Sequence, residues 1–120
     1  MAEHNETGKK GEDIAAKYLL ENSYKILERN WRAGHLEIDI IAKIKDIIVV
    51  VEVKTRTSTS MYDPAVAVNR IKQKQLIRAA NKYILSSNLS NEVRFDIISV
   101  FILGSQHKLE HLPDAFYPTL

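Results

Sequence analysis

A chain of 120 residues, 45% hydrophobic and 27% charged, fits one globular domain and leaves no room for a second core of useful size. Its net charge of +2 permits nucleic-acid binding without arguing for it, so the placement of charge matters more than its sum. The absence of cysteine excludes disulfides, zinc–thiolate sites and a cysteine nucleophile, and leaves any metal to oxygen or histidine ligands.

The first ten residues are polar, with no apolar run behind a basic start, and no apolar stretch reaches the length of a membrane span. A cytoplasmic protein without a signal peptide or membrane partner is therefore expected. Thr7 reads as an N-cap, and Ile14, Ala15, Tyr18 and Leu19 recur at helical spacing until Asn22-Ser23 ends the pattern. Residues 24–32 alternate roughly, with Tyr24, Ile26, Leu27 and Trp31 apolar, and predict a strand that Ala33-Gly34 breaks. Residues 36–44 and 47–55 are β-rich runs separated only by Lys45-Asp46, the spacing of a tight hairpin. Residues 57–63 form a polar loop, in which Asp63-Pro64 looks like a cap with proline at the first helical position, followed by about one turn at 65–68.

From Asn69 to about Leu85, the positions Leu76, Ala79, Ala80, Tyr83 and Ile84 make an amphipathic stripe. Residues 94–103 are again β-rich, and 108–112 predict a short last strand before Pro113. The order αβββαβ, with that added strand, predicts a single α/β domain with a central mixed sheet flanked by helices.

Glu52-Val53-Lys54 ends the most apolar run of the chain, Ile47-Ile48-Val49-Val50-Val51, and places a carboxylate and an amine on the same side of a strand. A hairpin pivoting between Lys45 and Asp46 pairs Ile44 with Ile47. It then sets Asp39 opposite Glu52 and Glu37 opposite Lys54, with Ile38, Ile40 and Ala42 facing Val53, Val51 and Val49 on the other side. A slip of one residue would bury charges in the core, so the pattern itself selects this register. Two facing carboxylates repel unless something positive lies between them, and an all-oxygen site with few protein ligands suits Mg2+ or Mn2+. Lys54 at its edge could neutralise charge developing on a phosphorane or orient the attacking water. The alternative is a cross-strand salt-bridge cluster, Glu37 with Lys54, on the wet face of an antiparallel sheet.

Glu12 precedes Ala15, Ala16 and Leu19 by three, four and seven positions, which puts it on the apolar face of the first helix. It could face the sheet there, or simply complement the helix dipole. Arg70, Lys74, Arg78 and Lys82 fall four apart on the second helix, and Lys72 and Arg56 extend this basic stripe toward the strand end. Such a stripe could follow phosphates, and could equally be a solvated helix face. The four histidines show no metal-ligand spacing. Arg94-Phe95-Asp96 reads as a charge pair at a strand entrance, Trp31 as a packing residue, and Tyr62 as either a packing or a base-stacking residue.

Asp39 followed after twelve residues by Glu52-Val53-Lys54, behind a helix carrying Glu12, resembles the PD-(D/E)xK, or restriction-endonuclease-like, nuclease superfamily. The chain as a whole resembles the YraN-like family of small bacterial proteins. The matching pieces are Gly8-Lys9-Lys10-Gly11-Glu12 with Ala15-Ala16, Glu28-Arg29-Asn30-Trp31-Arg32, Glu37-Ile38-Asp39, Val51-Glu52-Val53-Lys54-Thr55-Arg56, Lys72, Arg94-Phe95-Asp96, and His111 with Ala115-Phe116. Two positions depart from the pattern, Ile38 where the superfamily has proline and Leu36 where the family has glycine.

The resemblance implies a restriction-endonuclease-like fold in which Asp39 and Glu52 ligate Mg2+ or Mn2+. It further implies that Lys54 is catalytic, that Glu12 joins the site as in archaeal Holliday-junction resolvases, and that Lys72 contacts phosphate. The expected activity is metal-dependent hydrolysis of DNA, extending by analogy to branched DNA cut by a homodimer. Arg56, Arg70, Lys72, Lys74 and Arg78 are the expected DNA contacts. The rival expectation is a non-catalytic nucleic-acid-binding or scaffolding protein on the same fold.

Overall fold

The β-branched run at 47–51 becomes the middle strand of a five-stranded sheet. The computed structural model describes residues 6–57 and 68–118. Its elements are α1 (Glu6–Glu21), β1 (Lys25–Ala33), β2 (Leu36–Ile44), β3 (Ile47–Arg56), α2 (Arg70–Ser86), β4 (Glu92–Leu103) and β5 (Gln106–Phe116). Spatial strand order follows the chain, β1-β2-β3-β4-β5. Three of the pairings are antiparallel, while β3 and β4 run parallel and so need the crossover that carries α2. The expected mixed α/β architecture is observed.

Each face of the sheet is covered by one helix. Ala15, Ala16 and Leu19 of α1 pack on Ile40, Ala42, Val49, Val51, Ile98 and Val100. Leu76, Ala79, Ala80 and Tyr83 of α2 pack on Ile38, Ile41, Ile48, Val50, Phe95 and Ile97. A strand buried on both sides has no wet face to make polar, which is why β3 reads as a continuous apolar run. Fully buried side chains such as Leu19 and Leu76 each contribute about 1.5–3 kcal/mol through removal from water. Trp31 packs edge-on against Tyr83, with ring centroids 5.3 Å apart, and so is the packing residue expected.

Glycine at position 11 lets α1 lie close on β3. A Cβ at Gly11 would overlap the side chain of Thr55, so the helix could not approach as it does with any larger residue there. The second helix starts where expected: Asn69 is its N-cap, its side chain accepting from the Lys72 amide at 2.9 Å.

Three expectations are corrected. Thr7 does not cap α1, which is already helical at Glu6. The last strand is longer than residues 108–112 and runs through Pro113, which an edge strand tolerates because its outward N–H has no ladder partner. The pairing of β4 with β5 shifts register there, and Asp114 adopts a left-handed φ of 53°. Third, Ile38 does not share a face with Ile40 and Ala42: it packs with α2, they with α1. The Asp63-Pro64 cap, most of the adjoining turn and Tyr62 lie outside the described residues. No helix among the described residues is long and apolar enough to cross a membrane.

Candidate functional site

The hairpin register is the one that the sequence predicts, from Ile44 opposite Ile47 to Ile40 opposite Val51. The ladder stops at that rung. Asp39 and Glu52 are the next residue on each strand, so they stand where β2 and β3 part. Instead of a backbone rung, the Val53 amide donates to Oδ2 of Asp39 at 2.9 Å. The change of face between Ile38 and Ile40 falls at this same residue, and β1 deviates beside it: Arg29 pairs with Ile40 and Trp31 with Ile38, while Asn30 between them has φ of 53°. The site thus occupies an irregularity shared by three strands.

Glu52 is only 5% exposed, on the α2 side of the sheet. Its Oε2 lies 3.9 Å from Nζ of Lys54 and 3.9 Å from Nζ of Lys72, close enough for attraction and too far for a strong hydrogen bond. Burial pushes the Glu52 carboxyl up to about 8, the Asp39 charge and a hydrogen bond with Asp39 push the same way, and the two ammoniums only partly oppose them. Burial likewise raises Asp39, with the charges of Glu12 and Glu37 adding to it and the Val53 amide and Lys72 working against it. Burial thus favours the protonated form at both carboxyls.

Expected neighbours have changed partners. Glu37 does not meet Lys54; it pairs with Arg32 at 3.4 Å, because β2 has already left β3 and follows β1. The exposed salt-bridge face offered as the alternative is accordingly absent: Glu52 is covered, and Lys54 turns to it.

Glu12 is buried and does face the sheet. Three donors converge on its Oε1: Arg29 Nη2 at 3.0 Å, Arg29 Nε at 3.2 Å and Asn30 Nδ2 at 2.9 Å. Arg29 Nη2 also donates to Asp13 at 2.7 Å, and this bond draws the Asp13 carboxyl below its ordinary value. A cavity of about 330 Å3 opens beside them, lined by Lys9, Glu12, Arg29, Asn30 and Arg32. Among the described residues no three carboxylate or imidazole groups are grouped tightly enough to hold a metal together, so an ion here would take Asp39 and Glu52 as its protein ligands. Two carboxylates and a remainder of water is a donor set that fits Mg2+ or Mn2+.

Of the basic residues, Lys72 points back to Glu52, whereas Arg70, Lys74 and Arg78 are exposed on α2 and Arg56 is half-buried at the end of β3. The stripe is therefore divided, with Lys72 at the carboxylates and Arg70, Lys74 and Arg78 facing solvent.

Sequence reasoning gave Arg29 and Asn30 no role of their own. The available signal was an asparagine inside an alternating run, a residue disfavoured in strands. A second buried polar network is wider than the Arg94–Asp96 pair that the sequence predicts. Asp96 receives Arg94 at 2.8 and 2.9 Å, the Asp114 amide at 3.0 Å and His111 at 2.7 Å, and His111 in turn meets the Tyr18 hydroxyl at 2.9 Å. Arg94 and Asp96 are the charge pair expected at the strand entrance, and His111 completes a cluster tying α1, β4 and β5 together.

The sequence pattern of the uncharacterised protein family UPF0102 matches residues 11–100. UPF0102 proteins of Flavobacterium psychrophilum and Bacteroides thetaiotaomicron are each 47% identical to the chain, over 98% of both chains in the first case and 100% and 99% in the second. A UPF0102 protein of Flavobacterium johnsoniae is 49% identical over 98% of both. With full-length relatives at this level and a family match over most of its residues, the chain belongs to the uncharacterised protein family UPF0102, the YraN-like family.

Proposed function

We propose that this chain is a divalent-metal-dependent nuclease that hydrolyses phosphodiester bonds in DNA on a restriction-endonuclease-like version of its α/β fold. The observation that carries the reading is the Asp39–Glu52 pair, two carboxylates set side by side where the β2–β3 ladder ends, one of them buried with its pKa pushed up to about 8. Two adjacent buried carboxylates cost stability unless a proton or a cation offsets their charge, and perturbed carboxylates of this kind concentrate at functional sites.

Asp39 and Glu52 would hold Mg2+ or Mn2+, which when bound supplies charge neutralisation at the phosphate and a more acidic water. Lys54, 3.9 Å from Glu52, would offset the negative charge that builds on the phosphate oxygens during displacement. Glu12 adds a negative charge that is felt at Asp39. Arg70, Lys74 and Arg78 on the exposed side of α2, with Arg56, would follow the DNA backbone, and Lys72 would serve both DNA and site. Branched DNA is the substrate suggested by the likeness to resolvases, and a two-fold dimer would present two such sites for paired cuts.

The rival reading keeps the fold and the basic surface and drops the chemistry. Titration of the purified protein with MnCl2 by calorimetry, beside Glu52→Gln, separates the two. One bound ion per chain with release of a proton, lost in the variant, supports the nuclease; no heat in either protein favours a binding or scaffolding role.

A further inference from the structure

Arg29 and Asn30 are consecutive residues of a strand, and a regular strand sends consecutive side chains to opposite faces. Here both reach the same atom, Oε1 of Glu12, with three N–H donors at 2.9–3.2 Å. The backbone explains how: Asn30 has φ of 53°, in the left-handed region that asparagine tolerates better than most residues and that a strand interior ordinarily avoids. The departure falls beside Asp39, since the flanking rungs of β1 with β2 are Arg29–Ile40 and Trp31–Ile38. Among the described residues every hydrogen bond to the Glu12 carboxylate falls on Oε1, so the group is gripped by one oxygen.

We infer that Arg29 and Asn30 are a positioning pair, brought to one face by the left-handed Asn30, that fixes the Glu12 carboxylate beside Asp39 and so completes the negative field into which the cation binds. This rests on the nuclease reading above for the cation. The twist is a local departure from strand geometry placed where three strands become irregular, and such departures persist where the surroundings hold them in place. Partners that orient a charged group at a metal site commonly affect metal affinity by about 10–100-fold.

The test is a double-mutant cycle of Asn30→Gly with Glu12→Gln, read by calorimetric Mn2+ affinity and by thermal melting of the metal-free protein. Glycine accepts the left-handed backbone and removes only the donor, so Asn30→Gly should fold; Arg29→Lys keeps the positive charge and loses the paired Nε and Nη2 donors to Glu12. Each should weaken Mn2+ about 10-fold, and neither should weaken it further once Glu12 is Gln. Mn2+ binding by the native protein that is unchanged in both variants would overturn the positioning role alone, as would losses that simply multiply in the double variant. A native protein that binds no Mn2+ would overturn the nuclease reading together with any role of Glu12 toward a cation. If Asn30→Gly is destabilised, Arg29→Lys compared with its Glu12→Gln partner decides the question, because it leaves the left-handed backbone of Asn30 in place.

Discussion

The Val53 amide donates to the side chain of Asp39, not to a backbone carbonyl, across 2.9 Å at the point where β2 and β3 separate. One carboxylate oxygen thus serves as the last rung of the ladder. Asp39→Asn keeps an acceptor for Val53, whereas Asp39→Ala leaves the amide without one. Urea denaturation at pH 8 should therefore find Asp39→Ala less stable than Asp39→Asn by about 1–2 kcal/mol, with Mn2+ binding lost in both.

The raised carboxyl of Glu52 makes the metal-free protein sensitive to alkali. A glutamate at about 4.5 when unfolded and about 8 when folded holds a proton in the native state that the unfolded chain has already lost between those values. Stability from this group is complete below pH 4.5 and declines as pH rises to 8, by an amount on the order of a few kcal/mol. Melting curves in EDTA from pH 5 to 8.5 should show this fall. Glu52→Gln should flatten it, and Mn2+ should restore stability at the alkaline end of the native protein.

Asp96 behaves in the opposite sense. Burial would raise its carboxyl, but His111, Arg94 and the Asp114 amide outweigh burial and hold it below its ordinary value. Its contribution is present above about pH 4 and lost as pH falls through the depressed value. Asp96→Ala leaves the Arg94 guanidinium without its carboxylate in a half-buried setting and should cost about 3–5 kcal/mol by chemical denaturation. Because Asp96 belongs to the network of α1, β4 and β5, Mn2+ affinity of the folded variant should match the native protein.

The close approach at Gly11 gives a packing prediction. Gly11→Ala improves helix propensity by about 1 kcal/mol in isolation, yet the new methyl group must displace Thr55 and should give a net loss of about 1–3 kcal/mol. Thr55→Ala removes the nearest obstructing atoms, so Gly11→Ala should cost less in that background, as read by the shift in melting temperature.

Contacts with DNA should divide along the two groups of basic residues. Arg70, Lys74 and Arg78 face solvent, so replacing any one by alanine should reduce the dependence of log affinity on log salt concentration by about 0.9 for duplex DNA without changing Mn2+ affinity. Lys72→Ala should alter both, since its ammonium is also 3.9 Å from Glu52.

Much of this arrangement could be read from residue order because it depends on short-range pattern. The two-residue spacing at Lys45-Asp46 set the hairpin register, which put Asp39 beside Glu52, and the spacing of Glu12 from Ala15, Ala16 and Leu19 put it on the buried face of α1. What escaped depends on three-dimensional irregularity. The end of the ladder after Ile40–Val51, the turned backbone of Asn30 and the exchange of Lys54 for Arg32 as the partner of Glu37 each follow from strands that diverge, and alternation presumes that they do not. The Asp96–His111 cluster brings together residues fifteen apart through a β4–β5 register shift at Asp114, a displacement that no periodicity announces.

The account is tested most directly by incubating the native protein, Glu52→Ala and Lys54→Ala with linear, nicked, flapped and four-way DNA in Mg2+ or Mn2+, with EDTA controls. Cleavage of at least one substrate by the native protein, abolished by EDTA and reduced at least about 100-fold by either substitution, is the predicted result. Cleavage that survives both substitutions, or none from a native protein shown to bind DNA under the same conditions, would contradict it.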